Sequence, residues 1–185
     1  LQEMGADHGT SSNGFATSGS LQTEVIPSSN TSPQAEKSRT KPPGVIFDHQ
    51  DLLEFAGGKI SNVFGPEYGE IDTFERCVRL PMDPYLLVSR VTELNAKLGK
   101  FEPSTITTEY DIPKGAWFCT DAQIPWAVAV ESGQCDLMLI SYLGIDFECR
   151  GDQVYRLLDC TLTYLDDMPR EGQTLRYEIS INSFA

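Results

Sequence analysis

Residues 123–147 read QIPWAVAVESGQCDLMLISYLGIDF, and this stretch decides the fold. Its composition predicts one long, almost wholly apolar helix over about residues 127–143, which ends at Gly144. Apolar residues occur all the way round such a helix, so we expect protein to cover most of its surface.

One carboxylate, Asp136, lies in the middle of this predicted helix. An ionised carboxylate in an apolar environment is unfavourable unless it is paired or hydrogen-bonded. One interpretation is that Asp136 simply faces solvent or a polar partner. The other is that Asp136 lies at the wall of an apolar tunnel, where its proton takes part in chemistry.

The patterns on either side of this helix predict a mixture of short helices and strands. Asp48 can cap a helix that ends at Gly57, and residues 59–64 form a further turn. Strands are predicted at 86–94, 104–112, 154–165 and 174–184, the second and the last from alternation of polar and apolar residues. Periodicity alone therefore predicts an α+β domain with one buried helix.

The first 44 residues differ in composition from the rest of the chain. They are rich in Ser, Thr, Gly, Asn and Pro, and Phe15 is their one aromatic residue. Such a segment buries too little apolar area to offset its ordering entropy. We therefore predict a disordered interdomain linker over 1–44 and a folded domain over 45–185. Because residue 1 is Leu, we also expect the chain to be part of a longer protein.

The charge of the chain argues against several function classes. Of its 27 acidic and 14 basic residues, 23 and 11 lie from Val45 onward. An acidic body is a poor match for nucleic acid, which requires clustered Lys and Arg. The sequence has no 18-residue apolar run, no basic amphipathic run and no signal peptide. We expect no nucleic-acid partner and no membrane insertion.

The cysteine and histidine content argues against metal and triad chemistry. The five cysteines are odd in number and form no CxxC pair, which favours reduced thiols in a cytoplasmic protein over a disulfide framework or a zinc site. The two histidines, His8 and His49, lie in the predicted linker and at a helix start. Neither is placed to complete a Ser–His–Asp set.

Five segments together resemble the β-hydroxyacyl-carrier-protein dehydratases of fatty acid synthesis. They are VRLPMDPYLLVSRVTEL at 78–94, TTEYDIP at 107–113, WFCTD at 117–121, VESGQCDLMLISYLGIDF at 130–147 and VYRLLDCTLTYL at 154–165. The chain most resembles the dehydratase segment of multidomain, polyketide-synthase-like polyunsaturated fatty acid synthases, as the first of two hotdog halves. The resemblance implies a hotdog fold, in which an antiparallel sheet wraps around a long central helix.

The resemblance also implies a reaction and the residues that carry it. In the family, a histidine removes a proton from C2 of a 3-hydroxyacyl thioester, and an acid on the central helix assists the leaving 3-hydroxyl. The acid falls on Asp136. The histidine falls on Ala122, which cannot move a proton, so this half lacks the base. The resemblance then implies that the second hotdog half supplies the histidine to a composite site.

The remaining site residues follow from the same alignment. Backbone N–H groups near the helix start polarise the thioester carbonyl in the family. The glycine at that start falls on Glu131, so we expect Glu131 to bind substrate, if at all, through its backbone. Gln134 and Trp126 are further candidates for substrate contacts. We expect Ser132 and Cys135 to be helix packing. Further expectations concern burial. We expect Glu131 and Asp146 to lie near solvent, and we expect four aromatic residues to be part of the core: Trp117, Phe118, Trp126 and Tyr142.

The function that the resemblance implies is the acid-donating half of a (3R)-3-hydroxyacyl-carrier-protein dehydratase, which forms a trans-2-enoyl thioester. No metal or redox cofactor is expected, because phosphopantetheine arrives with the carrier-bound substrate. The expected partners are the second hotdog half and an acyl carrier protein domain. Two alternatives stay open: a non-catalytic hotdog that supports the active half, and a hotdog thioesterase.

The end of the chain carries one more expectation. In the family, two further strands would follow residues 174–184 and finish the sheet. An open sheet edge and a partly uncovered helix favour association. We therefore expect the 185-residue chain alone to be poorly soluble or to self-associate.

Overall fold

The computed structural model describes residues 40–153, 161, 163 and 165–184. The predicted linker over 1–44 and the predicted strand at 154–165 lie almost entirely outside the described residues. The helices are α1 (His49–Gly57), α2 (Ile60–Phe64), α3 (Trp126–Glu131), α4 (Asp136–Leu143) and α5 (Ile145–Cys149), and the strands are β1 (Arg90–Asn95), β2 (Ser104–Asp111) and β3 (Thr174–Ile181). The described part of the chain is therefore a mixed α+β structure, as predicted.

Helix α1 begins at a cap that the sequence predicts. The Asp48 side chain accepts from the backbone N–H groups of Gln50 and Asp51, and the Asp51 side chain accepts from the N–H of Asp48. This reciprocal capping box satisfies donors that the first turn of any helix leaves free. Leu52 and Phe55 then point into the core, and neither is exposed to solvent.

The three strands form one antiparallel sheet in the order β1–β2–β3. Strand β2 pairs with β3 without interruption from Ser104 opposite Ile181 to Asp111 opposite Thr174. In β3 the apolar residues of the predicted alternation are half-buried and the polar ones are exposed. Side chains of a strand point alternately to its two faces, so this pattern places one face of β3 toward the core.

Strand β1 begins four residues later than predicted. Residues 86–88 are all buried, so they lack the alternation of a strand with one covered face. The β1–β2 register also shifts between Val91 and Glu93, which marks a bulge. Beyond this sheet, the N–H of Val91 donates to the carbonyl of Phe47, which covers part of the outer edge of β1.

The prediction of one long helix over 127–143 is wrong, because the chain leaves helical geometry once within that range. Residues 132–135 separate α3 from α4, and Gly144 takes a left-handed conformation (φ 93°) between α4 and α5. Gly144 ends the helix where the sequence predicts. The interruption at 132–135 contains no proline and no left-handed glycine that would predict it. A stretch of apolar residues therefore contains three short helices.

Burial also differs along this stretch. Helix α4 is covered on most sides, and Leu139 and Leu143 are fully buried in one cluster with the sheet residues Val91 and Ile106. Helix α3 has no buried residue. The expectation that protein surrounds the whole apolar stretch is correct for α4 and wrong for α3. The hotdog topology stays a prediction.

Candidate functional site

Asp136 lies at the start of a helix and not in the middle of one. It is the first residue of α4, whose N-cap is Cys135, and its side chain is half-buried. The positive end of the helix dipole favours a carboxylate in the first turn. An acidic residue is therefore favourable at this position, which is not fully buried.

Ala122, on which the resemblance places the histidine of the dehydratases, lies in a tight turn. Thr120 and Gln123 exchange both of their backbone hydrogen bonds around it, at 2.9 and 3.0 Å. Asp121 and Ala122 both take left-handed conformations, with φ of 52° and 60°. The carbonyl of Ala122 accepts from the N–H of Glu171 at 2.9 Å, which ties the turn to the loop before β3. The side chain of Ala122 is exposed.

A cavity of about 300 Å³ lies beside the interruption between α3 and α4. Its lining is mostly apolar, and its polar members include residues 131, 132 and 134. The structure therefore brings together two of the predicted substrate-binding residues, Glu131 and Gln134. The third, Trp126, lies on a separate depression that includes Gly133 and Tyr177. Asp136 is not among the residues that line either space.

The residues between the two helices are packed and hydrogen-bonded. The Ser132 hydroxyl is buried and bonds to the carbonyl of Ala129 and to the hydroxyl of Tyr177. Burial raises the pKa of the Cys135 thiol to about 12, so the thiol is protonated at neutral pH. These environments agree with the prediction that Ser132 and Cys135 serve packing and not nucleophilic chemistry.

His49, the histidine among the described residues, is part of a different cavity. It is exposed at the start of α1 and lines a space of about 390 Å³ with Asp83, Tyr110 and Trp117. Trp117 is 63% exposed, so the prediction that it belongs to the core is wrong. Its ring instead packs edge-on against Tyr85, with 5.6 Å between the ring centroids.

Asp146 is a buried carboxylate, so the prediction that it lies near solvent is wrong. It accepts from the N–H of Val78 at 3.0 Å and from the Ser141 hydroxyl at 3.3 Å. Burial raises its pKa, and the hydrogen bond from Val78 and the nearby Arg79 oppose that rise. The sequence pattern gave no signal for this contact, because Val78 lies 68 residues earlier in the chain.

Replacement of Asp146 by Asn is expected to flatten the pH dependence of stability. The raised pKa means that the folded state holds this proton more tightly than the unfolded state. The resulting stabilisation is fully present when the pH is below the pKa of Asp in the unfolded state, about 3.9. It is lost as the pH rises through the pKa of Asp146 in the folded state. Asn keeps an acceptor for the N–H of Val78 and does not titrate. As the pH rises through this range, the wild type should therefore lose stability relative to Asp146→Asn.

Amide hydrogen exchange of α5 at a series of pH values measures this difference after correction for intrinsic exchange rates. The control is Asp146→Ala, which leaves the Val78 N–H without its acceptor and should destabilise at every pH by about 1–3 kcal/mol. Equal pH slopes for the wild type and Asp146→Asn would contradict the assignment.

Two further properties concern the described residues as a set. Within them, no three His, Cys, Asp or Glu side chains are grouped to hold a metal ion. None of their helices combines the length and the apolar character needed to cross a bilayer. The cysteines at 77, 119, 135 and 149 are free thiols, of which Cys135 is buried.

Comparison with known proteins shows that the chain is similar in sequence to part of a fatty acid synthase. No family model matches the chain. Over 141 residues, 76% of its length, the chain is 52% identical to a polyunsaturated fatty acid synthase polypeptide of Thraustochytrium sp.. The matched stretch spans 9% of that relative. The chain is therefore similar to one segment of a much longer polypeptide.

Proposed function

Because the chain is similar to a segment of a polyunsaturated fatty acid synthase, we propose that it is the acid-donating half of a 3-hydroxyacyl-carrier-protein dehydratase. The reaction removes water from a (3R)-3-hydroxyacyl thioester and forms a trans-2-enoyl thioester. Asp136 assists departure of the 3-hydroxyl. The base that removes the C2 proton comes from the second hotdog half of the same polypeptide.

The observation that carries this proposal is the position of Asp136 at the start of α4. A half-buried acid at a helix N-terminus is stabilised by the helix dipole and is still partly open to solvent. It lies two residues after Gln134, which lines the 300 Å³ cavity. An apolar cavity with a few polar groups at one side suits an acyl chain with a polar head.

Because residue 122 is Ala, this half has no base at that position, and the second hotdog half has to supply one. Alanine has no titratable group, and the exposed turn around it leaves that side of the domain open to a partner. Phosphopantetheine on the carrier protein holds the substrate, and no metal takes part. The body of the chain is acidic, so tethering in one polypeptide, not charge attraction, would bring an acidic carrier domain to the site.

A non-catalytic, supporting role is the second candidate, and one observation favours it. A carboxylate in the first turn of a helix stabilises that helix whether or not it does chemistry. In that case Asp136 only stabilises α4, and the active half carries every reacting group.

Product analysis of the intact polypeptide tests the class of reaction. A carrier-bound 3-hydroxyacyl thioester is supplied, and the products are separated and identified by mass spectrometry. We expect the enoyl thioester, with loss of one water. Release of a free acid would indicate a thioesterase instead. An unchanged substrate, under conditions in which the other domains are active, would overturn the proposal.

A further inference from the structure

The interruption between α3 and α4 leaves a helix carbonyl without its usual donor. In a continuous helix the carbonyl of Ala129 would accept from the N–H of residue 133. Here the Gly133 N–H donates to the carbonyl of Val130 at 3.0 Å, and the Gln134 N–H donates to that of Glu131 at 3.1 Å. These hydrogen bonds join residues three apart instead of four, as in a 3₁₀ turn. The carbonyl of Ala129 therefore needs another donor.

Two hydroxyl groups take the place of that donor. The Tyr177 hydroxyl, from β3, lies 2.6 Å from the carbonyl oxygen of Ala129, and the Ser132 hydroxyl lies 3.0 Å from it. The two hydroxyl oxygens are 2.5 Å apart. One hydroxyl therefore donates to the carbonyl while the other donates to the first. Burial raises the pKa of Tyr177, so its hydroxyl keeps its proton at neutral pH.

Gly133 makes room for this contact. A Cβ atom at residue 133 would lie 2.9 Å from the ring of Tyr177, closer than Cβ atoms come to other atoms in proteins. The φ of Gly133 is not in the left-handed region, so the glycine is required by the nearness of the ring and not by backbone conformation. Ser132, Gly133 and Tyr177 thus form one contact between the interruption and β3, which we call the Tyr177 contact.

The Tyr177 contact lies at the interruption that directly precedes α4. Successive residues of a continuous helix turn by about 100°, so each helical position has a set direction. With the interruption in place, α4 starts afresh after Cys135, and Asp136 occupies its first turn. Without it, Asp136 would lie inside one helix and leave the backbone in another direction. The residues of the interruption also separate the 300 Å³ cavity from the depression beside Tyr177.

We propose that Tyr177 is a positioning residue for Asp136, because its hydroxyl holds the helix interruption that sets the direction of that carboxylate. The proposal rests on the dehydratase function proposed above. Tyr177 does not touch substrate in this role. It acts through the carbonyl of Ala129 and the start of α4.

The test is Tyr177→Phe in the intact polypeptide, with Tyr68→Phe as its matched control. The Tyr68 hydroxyl also donates to a helix carbonyl at 2.6 Å, that of Tyr142 near the end of α4. Both variants lose one hydroxyl and its 2.6 Å bond to a helix carbonyl, and Tyr177→Phe also loses the contact with the Ser132 hydroxyl. Tyr177→Phe is expected to lower kcat about tenfold with KM within about twofold, since a fixed acid is needed in the transition state more than in binding. Tyr68→Phe is expected to leave kcat near the wild-type value.

A second readout does not depend on activity. Amide hydrogen exchange should quicken about tenfold at residues 133–137 in Tyr177→Phe and not in Tyr68→Phe. Should Tyr177→Phe fail to fold, Ser132→Ala removes the other hydroxyl and is expected to lower kcat about threefold with KM unchanged.

Each remaining outcome decides between the two proposals. A wild-type kcat for Tyr177→Phe, alongside a slow Asp136→Asn, would overturn the positioning role and leave the dehydratase function standing. An equal loss of kcat in Tyr177→Phe and Tyr68→Phe would also overturn it, since the effect would then be general destabilisation. A normal dehydration rate for Asp136→Asn would remove the proposed role of Asp136 as the acid, and the positioning role of Tyr177 with it.

Discussion

Replacement of Asp136 by Asn in the intact polypeptide is expected to slow dehydration by a factor on the order of 10² or more, which is the loss that removal of a general acid produces. Asn has nearly the same size and can still accept a hydrogen bond at the start of α4. What it cannot do is deliver a proton to the departing hydroxyl. The loss should therefore fall on kcat, with little change in KM.

The matched control for this change is Glu148→Gln. Glu148 is an exposed carboxylate in the first turn of the neighbouring helix α5, so it shares the favourable interaction with a helix dipole. Its replacement should leave the rate near that of the wild type. Single-turnover measurement of enoyl thioester formation separates the chemical step from carrier exchange. A near-normal rate for Asp136→Asn would favour the supporting role and not the catalytic one.

Replacement of Leu139 by Ala is expected to destabilise the α4 region by about 2–5 kcal/mol, because it removes buried methyl groups and leaves a cavity. Leu139 is fully buried in α4, within the core cluster that includes Val91, Ile106 and Met138. Since interiors are close-packed, neighbouring side chains can fill only part of the space. The loss should appear as faster amide exchange throughout α4.

Leu137→Ala is the control within the same helix. Leu137 is only half-buried, so the same chemical change removes less apolar area from the core. Its effect should be less than about half that of Leu139→Ala, since the loss scales with the area buried. Equal destabilisation by the two variants would show that the described packing of α4 is incorrect.

The parts of the fold that the sequence predicts well are those that depend on neighbours in the chain. The capping box at Asp48 and Asp51 involves residues three apart, and the alternation in β3 has a period of two. The boundary of β1 was harder to predict, because residues 86–88 are all buried and show no period. The helical stretch was misjudged because uniform apolar character does not reveal where a helix is interrupted.

The candidate site also has features that depend on neighbours in the chain and features that depend on distant contacts. Glu131 and Gln134 are close in sequence and share one cavity, so their association is predictable. The separation of Trp126 from them depends on β3, which forms part of the other depression. The burial of Asp146 depends on Val78, and a carboxylate in a short helix gives no sign of such a distant partner.

The amino-acid sequence by itself determined the α+β class, the start of α1, the alternating faces of β3, and an acid at residue 136 without a histidine at residue 122. Only the tertiary structure decided that the apolar stretch is interrupted and that α4 begins at Asp136. The physical reason is that the carbonyl of Ala129, beside the interruption, accepts from the hydroxyl of Tyr177, 48 residues away in the chain. Local patterns specify elements, whereas a contact between distant elements exists only after the chain has folded.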